Sequence, residues 1–199
     1  MIAIIDYGMG NLRSVEKAFN HIGSNTIVTN SPKEIQNANK VVLPGVGAYA
    51  DAISCLKESG LDQVIRNVIR DNKPFLGICL GLQLLFDSSE ENGGVEGLGI
   101  LKGKIKKINT NLKIPHMGWN KLNFNSSNLL FKGLSDNTYV YFVHSYYLEA
   151  EDKSIVIAKT NYGKDIEISV NKDNIFLTQF HPEKSGETGL TILKNFINV

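Results

Sequence analysis

What most constrains the fold is a repeated order in the first 86 residues. Four short apolar runs, "IAIID" from Ile2, "NTIVTN" from Asn25, "KVVLPG" from Lys40 and "PFLGI" from Pro74, alternate with segments whose apolar residues recur at helical spacing. Runs this short, apolar on both sides of the pleat, read as strands covered on both faces. Leu12, Val15, Phe19 and Ile22 mark the first intervening helix, with Asn11 as its cap and Gly23 as its stop. Ile53, Leu56, Leu61, Val64, Ile65, Val68 and Ile69 mark one or two more, with a break near Gly60. Strand and helix in turn predict an α/β fold with a mostly parallel central sheet flanked by helices.

From about Gly99 the pattern changes. "GILKGKIKKI", "TYVYFVHSYYLEA", "SIVIAKTN", "DIEISVN" and "NIFLTQF" are strand-like, several with apolar–polar alternation, and predict an added antiparallel β part in the second half. Asp173–Asn174 between the last two suits a hairpin turn, and "TGLTILKNFI" closes the chain as a helix. Residues 1–199 are expected to form a single domain.

Composition removes several functional classes. A formal net charge of +1 offers no general electrostatic grip on nucleic acid or anionic lipid. Two cysteines with no pairing logic point to a reducing compartment. "MIAIIDYG" is too short, and lacks the basic leader, for a signal peptide. No stretch reaches the ~18 apolar residues of a membrane span. A cytoplasmic protein is expected.

The chemistry centres on Cys79. Cys55, mid-helix with no glycine beside it, reads as a small core residue. Cys79 lies at the seam between the "PFLGI" strand and a predicted helix running through Phe86. Gly77-Ile78-Cys79-Leu80-Gly81 is the cysteine counterpart of the G-x-S-x-G strand–turn–helix elbow. Such a bend raises the side chain at the carboxyl end of a strand, where open α/β sheets bind ligands. Unpaired N–H groups of the following turn favour the thiolate, and the Leu80 N–H is placed to hold an oxyanion.

A thiolate nucleophile needs a base, and there are four histidines. His21 ends the first helix; His116 and His144 sit in "IPHMGWN" and "YFVHSYY". His181, at a strand end before Pro182, has Glu183 two residues on to orient its imidazole, which is the nucleophile–base–orienter logic of a triad. The loop Gly45-Val46-Gly47 follows a strand and precedes a helix, so its N–H groups are candidates for the second oxyanion donor.

Other readings are negative. Gly8-Met9-Gly10 is not a dinucleotide fingerprint, because Arg13 stands at the third glycine position. Lys102–Lys107 reads as a solvated strand edge. The cysteines and histidines show no ligand spacing, so neither a metal nor another cofactor is expected.

Together the motifs resemble the class I (triad) glutamine amidotransferases, a family of flavodoxin-like α/β fold. "DYGMGNLRSV", "LPGVGAYADA", "GICLGLQLLF", "PHMGWN", "YFVHSYY" and "QFHPEKSG" carry the likeness, in that order, from near the start to about Gly186. The resemblance implies that Cys79, His181 and Glu183 hydrolyse glutamine through a glutamyl thioester. It further implies that Gly45, Val46, Gly47 and Leu80 hold the oxyanion, and that Gln83, Ser145 and Tyr146 line the glutamine pocket. It also implies a partner, a cyclase subunit that uses the ammonia in histidine biosynthesis, with Tyr7, Asn11, Trp119, Tyr139 and Lys184 at the interface. A different ammonia-using synthase is the alternative destination.

Overall fold

The computed structural model describes residues 1–199. Its first half is the expected alternation. The elements are β1 (Ile2–Ile5), α1 (Leu12–His21), β2 (Thr26–Thr29), α2 (Pro32–Asn37), β3 (Lys40–Gly45), α3 (Tyr49–Glu58), α4 (Leu61–Arg70), β4 (Phe75–Cys79) and α5 (Leu80–Gln83). The second half holds β5 (Ser88–Ser89), β6 (Val95–Glu96), β7 (Gly103–Lys107), β8 (His116–Lys121), β9 (Asn123–Phe124), β10 (Tyr139–His144) and β11 (Tyr146–Ala150). It ends with β12 (Val156–Asn161), β13 (Asp165–Lys172), β14 (Ile175–Thr178) and α6 (Gly186–Ile197).

The parallel core runs β2-β1-β3-β4-β14. β14 is the hinge between the two halves: it pairs parallel with β4 and antiparallel with β13 through the hairpin at Asp173–Asn174. From β13 the sheet continues antiparallel through β11 to β7. β8 and β10 stand apart as a two-stranded antiparallel sheet.

Burial explains the apolar runs. Ala3, Ile5, Val41, Leu43 and Phe75 pack with α2, α3 and α4 on one face of the sheet. Ile2, Ile4, Val42, Leu76 and Ile78 pack with α1 and α6 on the other. The inner strands β1, β3, β4 and β14 are thus buried on both faces, and helices cover them; β2, at the edge, is only half-buried.

Three expectations need correction. The helix after Cys79 is a single turn, Leu80–Gln83, and the chain then bends through Leu84–Phe86 so that Leu84, Leu85 and Phe86 bury in the core. β8 has no counterpart among the strands expected, because Gly118 interrupts its alternation and its partner strand begins only at Tyr139. "TYVYFVHSYYLEA" is two strands in different sheets, divided at Ser145.

Candidate active site

β4 delivers Cys79 at its last position, and the backbone turns there with φ 54° and ψ −109°. A left-handed conformation at a non-glycine residue costs about 1–3 kcal/mol and persists only where the surroundings enforce it. The enforcement is visible: a Cβ at Gly81 would lie 1.9 Å from the Leu43 carbonyl oxygen, and one at Gly77 would lie 2.7 Å from that of Gly81. The two glycines let the elbow close against β3.

The strand that carries Cys79 also brings β14 alongside, and the chain leaving β14 places His181 near the sulfur. His181 is anchored at its backbone: its N–H donates to the Tyr141 carbonyl at 3.0 Å, and Ser185 Oγ donates to the His181 carbonyl at 2.7 Å. Nδ1 of the imidazole lies 2.8 Å from Glu183 Oε1, in a pair 2% and 1% exposed. Nε2 is buried with no conventional hydrogen-bond partner. Burial alone would disfavour the imidazolium, but Cys79 and then Glu183 outweigh it and hold the His181 pKa up at about 10. At neutral pH His181 is therefore a proton donor flanked by two groups that favour its charge.

A cleft of about 350 Å³ opens beside the sulfur, within the range that holds small ligands. Of the residues singled out in the sequence, Val46, Gly47, Cys79, Leu80, Gln83, Ser145 and Tyr146 line it. Gly45 does not; it sits behind the wall, paired in register with Cys79. Leu80 opens α5, one residue beyond the sulfur. The Gln83 amide donates to the Tyr146 carbonyl at 3.2 Å and to Gln179 Oε1 at 2.9 Å.

Sequence reasoning missed Glu91 and Gln179, and passed over His144 in favour of His181. Glu91 lines the cleft and accepts from the Tyr49 N–H at 2.9 Å, capping α3. Its position in a polar loop ahead of Gly93–Gly94 carried no readable signal. Gln179 is fully buried with Nε2 3.6 Å from Cys79 Sγ. His144 also lines the cleft: Nδ1 is 2.8 Å from the Tyr146 carbonyl, and Nε2 is 2.9 Å from Nδ1 of buried His116. Desolvation lowers the pKa of His116 to about 4 and of His144 to about 3, so both are neutral at physiological pH.

The candidate interface residues divide. Trp119 is 57% and Tyr139 49% exposed. Trp119 packs edge-on to Tyr141 at 6.3 Å, and exposed Lys184 lies 5.9 Å from the same ring. Asn11 is partly exposed and its side chain makes no capping bond. Tyr7 is a correction: it is only 5% exposed and packs in the core. The period of two that buries Ala3 and Ile5 carries Tyr7 to the same face, where its hydroxyl lies under Gly45.

A strained cysteine elbow on a doubly covered parallel sheet, with a histidine–carboxylate pair beside the sulfur, has the arrangement of a triad-type thiol amidohydrolase. The chain matches the family "Glutamine amidotransferase class-I" over residues 3–199 and belongs to it. Among curated proteins it is 53% identical over 196 residues to the imidazole glycerol phosphate synthase subunit HisH of Caldanaerobacter subterraneus, covering 98% of this chain and 97% of that protein. It is 49% identical over 199 residues to the subunit of the same name from Methanothermobacter thermautotrophicus, covering 100% and 98%. A chain of the solved PurLQS structure from Thermotoga maritima shares the fold, with a TM-score of 0.80 at 18% identity and coverage of 99% and 97%. A crystal structure titled as a glutamine amidotransferase gives 0.77 at 16% identity, covering 98% and 99%.

Proposed function

We propose that this chain is the glutaminase subunit of an imidazole glycerol phosphate synthase. It hydrolyses L-glutamine to glutamate and ammonia and passes the ammonia to a cyclase subunit. There the ammonia is used to form imidazole glycerol phosphate and an aminoimidazole-carboxamide ribonucleotide in histidine biosynthesis. The whole chain, 1–199, acts as one glutaminase domain in the cytoplasm. The observation that carries this reading is the Cys79–His181–Glu183 constellation at the mouth of a cleft of amino-acid size.

The Cys79 thiolate attacks the side-chain carboxamide carbon of glutamine. The oxyanion is held by backbone N–H groups of Leu80 and the Gly45–Gly47 loop. His181, already protonated, gives its proton to the departing nitrogen, and ammonia leaves as the thioester forms. The now neutral imidazole takes a proton from water, hydroxide adds to the thioester carbonyl, and the thiolate is expelled with glutamate. Glu183 keeps the ring oriented throughout. Glu91 supplies an anionic wall suited to the α-ammonium group of the substrate, while Gln83, Ser145 and Tyr146 complete the pocket.

Trp119, Tyr139 and Lys184, an exposed aromatic–cation face, form the docking surface for the cyclase, together with Asn11. Exposed aromatic residues of this kind act as interface anchors. The back of that face is bonded directly to the catalytic histidine, through Tyr141 and Ser185.

The test is Cys79→Ala assayed with the cyclase subunit. Glutamine-dependent synthesis is lost, while synthesis from ammonium salts is retained. Persistence of both activities would remove Cys79 from the mechanism.

A further inference from the structure

The orientation of one buried amide beside the sulfur follows entirely from its partners. Gln179 lies between β14 and His181 and is closed to solvent. A side-chain amide has one accepting and one donating end, and its neighbours decide which way round it lies. The Tyr146 carbonyl only accepts. The Gln83 group 3.2 Å from it is therefore the NH₂, and that NH₂ also points at Gln179, 2.9 Å away. Gln179 must meet it with Oε1, which leaves Nε2 directed at Cys79 Sγ, 3.6 Å away. Turning either amide over would set like groups against each other.

The acceptor that starts this chain is itself held. His144 Nδ1 must donate to the Tyr146 carbonyl, so neutral His144 accepts at Nε2 from His116 Nδ1. His116 in turn accepts at Nε2 from the Asn120 amide, 3.1 Å away. Asn120 also donates to the Asn161 carbonyl at 2.9 Å. Every donor from β8 to the sulfur has one possible direction.

We propose that Gln179 is a further catalytic residue, whose amide N–H is a fixed donor to the Cys79 sulfur. The proposal rests on the reading of Cys79 as the nucleophile. A hydrogen bond to an ionised acceptor is stronger than one to its neutral form. Gln179 therefore favours the thiolate before attack and again when the thioester breaks. The titratable groups that bear on the sulfur from other elements are His181 and Tyr7. Burial holds the Tyr7 phenol protonated.

The test measures alkylation of Cys79 by iodoacetamide in the full chain, followed on the Cys79 peptide by mass spectrometry so that Cys55 does not contribute. At pH 7, Gln179→Met lowers the rate about tenfold, the equivalent of about 1.4 kcal/mol and close to the lower bound for one charge-assisted hydrogen bond. Gln179→Glu keeps the shape and the acceptor for Gln83 but sets a carboxylate against the thiolate, and lowers the rate further. Glutaminase kcat in the cyclase complex falls by a similar factor, with KM for glutamine within about threefold. A folded variant that alkylates at the wild-type rate at pH 7 overturns the proposal. Should neither variant fold, NMR of the unsubstituted protein decides: a Gln179 side-chain amide proton shifts on alkylation of Cys79, and an unmoved resonance overturns the idea. Failure of the underlying reading is separate, since it appears as glutamine-dependent synthesis surviving in Cys79→Ala.

Discussion

Nδ1 of His181 and Oε1 of Glu183 lie 2.8 Å apart in a pair almost closed to solvent. Glu183 Oε2 has no partner at all, so the carboxylate serves the imidazole alone. Glu183→Gln can present an NH₂ to Nδ1 and so favour the wrong tautomer. We expect kcat for glutamine hydrolysis to fall about 10²-fold or more, with KM little changed. Steady-state glutaminase assays in the cyclase complex check this, and a kcat within fivefold of wild type would count against it.

The buried histidines set opposite limbs of the stability profile. His181 has a raised folded pKa, so its contribution is present below the unfolded value of 6.5 and is lost as pH rises towards about 10. His116 and His144 have lowered folded values, about 4 and about 3. Their neutral pair stabilises the fold above pH 6.5, and that contribution is lost as pH falls. Guanidinium denaturation from pH 4 to 10 should show both limbs. In His144→Gln, which retains a donor and an acceptor, the acid limb flattens by up to about 1.4 kcal/mol per pH unit.

Gly81 has no room for a side chain: its Cβ would meet the Leu43 carbonyl oxygen at 1.9 Å. Gly81→Ala should cost at least about 3 kcal/mol, because backbone and not a movable side chain must give way. Gly23 makes the contrast. Its φ is +83° but nothing lies within 4 Å of an added Cβ, so Gly23→Ala costs only about 1–2 kcal/mol for the left-handed conformation. Thermal melts of the two variants side by side give the comparison.

Trp119 is exposed over more than half its surface in the free chain. Trp119→Ala should leave the stability of the isolated protein within about 0.5 kcal/mol. Binding of the cyclase subunit, by contrast, should weaken by about 2 kcal/mol or more, near thirtyfold in Kd. Calorimetric titration against the cyclase reads the second quantity, and unchanged affinity would move the docking face elsewhere.

The chain's local order carried much of this architecture. Short, doubly apolar strands demand helices on both faces, and that demand is readable wherever they occur, as in "IAIID" and "KVVLPG". The elbow was legible for the same reason: Gly77, Cys79 and Gly81 are all needed within one turn, and His181 and Glu183 sit two residues apart. What local order could not carry was any contact made across the fold. Gln179 meets Cys79 from 100 residues away and Gln83 from 96; His116 meets His144 only because β8 pairs with β10. Tyr7, expected at the partner interface, is instead turned into the core by the register of β1. Spacing along a chain fixes which side chains share a turn or a face. Which buried donors find which acceptors is decided only when the sheet brings distant strands together and desolvation makes each unpaired polar group costly.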